Sequence, residues 1–456
     1  MGAERAAGRA AHHSWEEFVK ETRRNVLVVY RAKRHPLIAT LWDHLYCFPR
    51  YTKERYFYLN VGIRALPPYL GRIPFDLVIF HTTFLSVRWG RSKFRKLCAQ
   101  IRRLGEIDAV KVALPQDEFV NTDLLCDFIN DFGVDVVFSV TPQSEWPKVY
   151  DSINRRRVRI NRVLTGYLDE RALRRINRMA RKIKERPIDI GYRTKPARYF
   201  LGRHGQLKGA LGTAFAEKAG QRQLVADIST RKEDTILGDD WYRFLLKCKY
   251  TIGIEGGASI LDRDGKILAR TVAYLARHPQ ASFEETEAAC FPGLDGGLKS
   301  FSLSPRHLEA CATRTCQILV EGKYDGVLKP GDHYIPLKAD LRNIDKVLDQ
   351  VEADNLRQPI VERAYRDIVE SGAYTYRGFA NLVLAQALGG VAERSLSQEE
   401  LDTVRFLHGW MRLADGLSWS YLAVLSFLKR AVRRVLLGIF PWDRAEAIIR
   451  RIPRRR

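Results

Sequence analysis

The chain has 456 residues, 46% of them hydrophobic, with 76 Lys and Arg against 53 Asp and Glu and a net charge of +23. That much apolar content excludes a disordered chain, and the length asks for two or more domains. No window offers about eighteen uninterrupted apolar residues, which argues against a spanning helix. So large a basic excess points to a polyanion: nucleic acid, an anionic membrane surface or phosphorylated substrates.

Residues 1–22 read as a polar leader. They lack the apolar core of a signal peptide, and Ala6 breaks the myristoylation pattern. "NVLVVY" then opens a series of buried strands that runs through "RYFYLNV", "FDLVIFH", "AVKVALP", "VDVVFSV" and "RINRVLTGYL". Helical stretches separate most of them, so residues 23–168 predict an α/β domain on a mostly parallel sheet. His81 ends one strand. Asp117 and Glu118 follow another, at a carboxyl edge where α/β sites form. A carboxylate there suits a general base toward a hydroxyl.

Residues 169–186 predict a basic connector helix; residues 151–186 hold 13 Lys and Arg against 4 acids. The α/β rhythm resumes over 187–358 with "IDIGYR", "LVADIST", "YTIGIEG", "QILVEG" and "HYIPL". Arg193 closes the first of these strands, and Glu255 with Gly256 and Gly257 closes the third. The stretch "SPRHLEACATRT" predicts a helix, with Ser304 as N-cap and Pro305 at the first position. A helix start aimed out of a sheet attracts anions, and Arg306 and His307 would add charge and donors there. An ordinary capped helix with a solvated first turn fits the same letters.

Residues 359–416 read as helical, partly crossing back to the first domain. In 417–456, Tyr421, Val424, Leu425, Leu428 and Val432 recur at helical spacing beside Lys429, Arg430, Arg433 and Arg434. Two readings fit: a helix lying on an anionic membrane surface, or one packed on the protein's own core.

Several signatures are missing. There is no G-x-G-x-x-G after the first strand, no G-x-x-x-x-G-K-[ST] and no G-x-S-x-G. None of the seven cysteines forms a C-x-x-C pair, so free thiols in a reducing compartment are expected. "SILDRDGKILA" reads as a hairpin with Asp264–Gly265 in its turn, and not as a metal pair. The basic runs lack the aromatic interleaving of nucleic-acid modules, and no nucleic-acid partner is expected.

The blocks "YRFLLKCKYTIGIEGGASILDRDGKI" and "SPRHLEACATRTCQILVEGKYDGVLKPGDHYIPLKADLRN", supported by "LPQDEF", resemble the GT-B class of glycosyltransferases. The likeness is to the group 1, family-4-like enzymes of bacterial surface-polysaccharide synthesis. It implies two Rossmann-like α/β domains facing across a cleft, with a C-terminal helical extension. It implies a nucleotide-sugar donor in the second domain and a lipid-linked or glycan acceptor against the first, with no cofactor and no metal. By the same resemblance Glu309 would bind the ribose hydroxyls. Arg193, Lys208, Ser304, Arg306 and His307 would serve the diphosphate, with Gly256 and Gly257 giving close backbone approach. Asp117, Glu118, His81 and Glu255 would be the catalytic candidates. Many retaining members carry a second Glu eight residues before the ribose Glu; here that position is Phe301, which leaves retention or inversion open. A cytoplasmic enzyme on the inner face of the plasma membrane would follow. The alternatives are an epimerase or hydrolase of nucleotide-sugars, and a non-catalytic basic protein that docks on membrane or nucleic acid.

Overall fold

The computed structural model describes residues 23–33, 35 and 38–439, with side chains through 432. The polar leader and the tail "RRIPRRR" lie outside the described residues.

Six parallel strands build the first sheet: β1 (Asn25–Tyr30), β2 (Arg55–Asn60), β3 (Leu77–Phe80), β4 (Val110–Ala113), β5 (Val136–Ser139) and β6 (Arg159–Arg162). Their order is β2-β1-β3-β4-β5-β6. β1 is buried along its whole length, as an unbroken Val/Leu run covered by helices on both faces should be. The second domain supplies β7 (Ile188–Arg193), β8 (Ala226–Ser229) and β9 (Cys248–Gly253). A short antiparallel pair, β10 (Gly256–Ala258) and β11 (Ser300–Ser302), stands apart from that sheet. β12 (Cys316–Val320) and β13 (Ile335–Leu337) complete the sheet in the order β13-β12-β9-β7-β8.

Counted within each domain, the first sheet runs 2-1-3-4-5-6 and the second 2-1-3-4-5. The chain lays its second strand outside the first, then reverses and builds on the other side. The reversal falls at β1/β3 in one domain and at β7/β9 in the other. Open parallel sheets leave a crevice outside the carboxyl ends of the strands at such a reversal.

Residues 254–303 leave the second domain as a strap across the first. Ala258, Ile260, Ile267, Phe291 and Leu298 share a core with Phe80, Val120 and Phe128. Asn121 N–H donates to the Asp262 carbonyl at 2.7 Å, and Asp262 N–H to the Phe119 carbonyl at 2.8 Å. "SILDRDGKILA" is therefore not a hairpin. Gly265 turns at φ 75° and starts the helix Lys266–Arg277, and the Asp262 carboxylate accepts from the N–H groups of Ile267 and Leu268. The apolar spacing after Gly265 is helical, and that period outweighed the turn letters.

The helices Tyr376–Leu388 and Gln398–Ile439 return to the first domain. Phe379, Ala380 and Val383 pack with Val26, Val28 and Leu45. The long helix is pinned by Asp415, which accepts from Tyr30 at 2.5 Å and from Tyr46 at 2.9 Å, while Trp419 stacks on Tyr30. Its two faces differ: Val404, Met411 and Leu422 are buried, whereas Tyr421, Val424, Leu428 and Val432 are exposed. The reading of this stripe as core packing is thus corrected. Among the described residues, no helix is long and apolar enough to cross a membrane. All seven cysteines are free, and six are buried.

Candidate functional site

The helix Pro305–Ala312 begins beside the carboxyl ends of β7 and β9. Ser304 takes the N-cap backbone geometry (φ −79°, ψ 145°), but its hydroxyl makes no capping bond. Two turns of sequence chemistry follow from the helical spacing. His307, Leu308 and Cys311 turn inward and are buried. Arg306 and Glu309 stay on the open side.

Glu309 is half-buried. Its Oε2 accepts from Trp241 Nε1–H at 2.7 Å, which leaves Oε1 without a protein partner among the described residues. Burial pushes its carboxyl up to about 7, against the opposing pull of the Trp241 bond and the Arg306 charge. A carboxylate this desolvated, with one oxygen open, is a strong acceptor for a ligand hydroxyl. Arg306 lies over the Trp241 ring at 4.8 Å and donates to the Arg193 carbonyl at 2.5 Å.

Lys208 projects from the helix Arg203–Gln221. Its ammonium makes no hydrogen bond within the described residues. Burial and the nearby Arg306 charge push its pKa down, and Asp117 pulls it up. Asp117 reaches this field from the first domain, in the loop after β4. It is exposed to solvent, with the Arg88 and Lys208 charges acting on it. Burial raises its carboxyl, and Arg88 and Lys208 lower it.

Arg88 holds Asp117 in place. Its guanidinium is fully buried and donates to the carbonyls of Leu85, Gln116, Asp117 and Val120. Asp117 and Asn121 both sit at positive φ, 51° and 52°. The loop is thus folded tightly around one cation.

The other expected residues are placed differently. Glu118 is wholly buried and accepts from Ser139 at 2.6 Å, from Val140 N–H at 2.7 Å and from Tyr150; it braces the β5 end and cannot meet an acceptor. His81 is also wholly buried, with Nε2 bonded to His44 Nδ1 at 2.8 Å and Nδ1 capping Thr83. Burial holds it neutral. His307 bonds Gln317 at 3.0 Å and the Ile254 carbonyl at 3.2 Å, with its pKa pushed down to about 4 by burial; it does not face a diphosphate. Arg193 is drawn back onto the sheet by Asp227 at 2.6 Å and lies over Phe244 at 4.5 Å. Glu255 accepts from Tyr324 N–H at 2.8 Å and holds that turn. Gly257, at φ 120°, has the Ser300 carbonyl 1.8 Å from where a Cβ would stand, so strand pairing accounts for it; Gly256 pairs with Ser302.

The structure therefore brings together Glu309, Arg306, Lys208 and Asp117. It adds Trp241 and Arg88, which sequence reasoning missed. The one indole donor of Trp241 needed a partner, and that need was the available signal. His204, also missed, stacks on Phe301 at 3.8 Å and bonds the Glu255 carbonyl at 3.1 Å. A cavity of about 480 Å³ bordered by Pro68, Phe75, Leu104 and Arg394 lies at the amino edge of the first sheet and shares no residue with this group.

No family model and no curated protein matches the chain. Solved structures do. Anabaena Alr3699/HepE in complex with UDP-glucose aligns over 81% of this chain and 100% of its own, at 9% identity and a TM-score of 0.45. A glycosyltransferase from Rickettsia africae aligns over 80% of this chain and 98% of its own, at 10% identity and a TM-score of 0.39. A trehalose-6-phosphate synthase, studied for glycosyl transfer with retention, aligns over 70% of this chain and 74% of its own, at 10% identity and a TM-score of 0.38. The assignment of two Rossmann-like sheets in the GT-B manner rests on the strand orders and crossovers above, not on these scores.

Proposed function

We propose that the chain is a glycosyltransferase that moves a sugar from a nucleoside diphosphate donor to a lipid-linked or polysaccharide acceptor, at the inner face of the plasma membrane. The observation that carries this reading is Glu309: a desolvated carboxylate, oriented by an indole N–H, with one oxygen open beside the Arg306 guanidinium. Ribose hydroxyls would donate to Oε1. Arg306 and Lys208 would offset the charge that builds on the departing diphosphate. Trp241 and Arg306 keep the ribose end of the site rigid.

Asp117 faces these groups from the other domain. Its raised pKa suits a group that takes a proton from an acceptor hydroxyl as the glycosidic bond forms. The acceptor would thus enter from the first domain and the donor from the second. The strap, bonded to both, fixes how far the domains sit apart.

The test is turnover of a nucleotide-sugar panel in the presence of lipid extracts. Nucleoside diphosphate release that depends on an acceptor is expected. Glu309→Ala should weaken donor binding by about tenfold or more, while Asp117→Asn should keep donor binding and lose at least about a hundredfold in kcat. Release without any acceptor would instead indicate hydrolysis or epimerisation. No release, with donor binding indifferent to Glu309→Ala, would refute the proposal.

A further inference from the structure

We infer that the carboxyl edge of β1 carries a second anion site, built on Arg31 and Lys33, that takes a phosphate group borne by the acceptor. Both residues follow β1 directly, at the reversal between β1 and β3. The crevice outside such a reversal is where open parallel sheets take their ligands. Arg31 is half-buried and Lys33 exposed. Among the described residues, no side chain or carbonyl accepts from either one. Burial alone pushes the Arg31 pKa down; burial and then the Arg31 charge push Lys33 down, and no carboxylate pulls either back. A half-buried guanidinium without an acceptor is costly in the empty protein.

The loop is nonetheless built to hold these cations in place. Asn60 is wholly buried at the end of β2. Its Oδ1 accepts from the N–H groups of Ala32 and Gly62 at 3.0 Å each, and its Nδ2 donates to the Ala32 carbonyl at 3.1 Å. Ala32, between the two cations, is thereby stapled to β2. Arg31 N–H donates to Thr83 Oγ1 at 3.3 Å, which ties the same loop to the turn after β3. Gly62 gives the Arg31 stem its room: a Cβ there would stand 2.9 Å from Arg31 Cγ. The backbone is fixed from both neighbouring strands, and only the charge it presents is left unanswered.

A guanidinium fork with an ammonium two residues on suits the several charged oxygens of a phosphate, where a lone carboxylate would answer one cation. Position adds the role. β1 and β4 are two strands apart in the sheet, about 10 Å, and Asp117 follows β4. A hydroxyl at Asp117 and a phosphate at Arg31 would then belong to one acceptor, with room for a sugar between them. That assignment to the acceptor rests on the proposed function; the anion site itself does not.

The experiment is calorimetric titration of the full chain with inorganic pyrophosphate, which suits this site and the donor site alike. The wild type should bind two per chain. Arg31→Gln with Lys33→Gln should bind one, at the donor site, with the site at β1 weakened by about tenfold or more. Lys208→Gln with Arg306→Gln should bind one, at β1. Neither Arg31 nor Lys33 has a protein partner to lose, so the first variant should melt no lower than the wild type in phosphate-free buffer. Gly62→Ala, which displaces the Arg31 stem and keeps both charges, should weaken the site at β1 as well. Farnesyl phosphate and glucose 1-phosphate as competitors tell a lipid-carried phosphate from a soluble one, and displacement by neither overturns the inference. So does a variant at Arg31 and Lys33 that binds as much pyrophosphate as the wild type. UDP-glucose titration separates the two readings: if it fails while Arg31-dependent pyrophosphate binding persists, the anion site stands and the donor reading falls.

Discussion

Lys208 is a cation held where water is scarce, beside a second cation and opposite one carboxylate. Such a group costs stability in the empty protein, and in the proposed function it would serve the donor diphosphate. Lys208→Met should raise unfolding stability by about 1 kcal/mol in urea titration while weakening nucleoside diphosphate binding by about tenfold or more. A loss of both stability and binding would show that the lysine is structural. Glu309 gives a pH signature. Its folded carboxyl sits at about 7, above its ordinary 4.5, so the folded state holds the proton more tightly. The stability this contributes is present below about pH 4.5 and is lost as pH rises through about 7. Relative to Glu309→Gln, the empty wild type should therefore lose stability between about pH 5 and pH 8. Donor affinity should move the opposite way over the same range, since the ionised form accepts the ribose hydroxyls. Arg88 acts at one remove. Arg88→Met would strand four buried carbonyls and free the Asp117 loop, costing about 3 kcal/mol. It should lower kcat more than donor affinity, because the donor groups lie on the other domain.

The long helix shows how an element is held and what that leaves open. Asp415 is a desolvated acid whose partners are two tyrosine hydroxyls. Asp415→Ala would leave both buried hydroxyls without their acceptor, and a loss of about 2 kcal/mol is expected in denaturant unfolding. Hydrogen exchange should rise in the helix Gln398–Ile439 before it rises in β1. The strap has a comparable weak point at Gly257, where any side chain meets the Ser300 carbonyl. Gly257→Ala should unzip β10 from β11 and lower the melting temperature, and loss of the contact between Ser302 and the Val140 carbonyl should follow as faster exchange at Ser139 and Val140.

At the level of the whole molecule, two sheets of one topology face each other, bonded by the strap and by the returning C-terminal helices. This arrangement was legible in the alternation of apolar runs with helical stretches, since buried parallel strands such as "NVLVVY" and "YTIGIEG" leave a continuous signature. The start of the helix at Pro305 was legible from Ser304 and Pro305 alone. The strap was not, because its strands have three residues each and its partner surfaces lie in the other domain. Nor was the inward turn of Glu118 and His81: sequence places a residue at a strand end but does not say which side of the loop it faces. Trp241 and Arg88 depended on contacts more than 60 and about 30 positions away in sequence, Trp241 with Glu309 and Arg88 with Val120. The most direct trial of the central claim is calorimetric titration of nucleoside diphosphate sugars, UDP-glucose first, into the wild type and Glu309→Ala. Saturable binding to the wild type that weakens by about tenfold or more in the variant is the predicted result. Heat indistinguishable from dilution across the whole panel, or equal affinity in the two proteins, would contradict it.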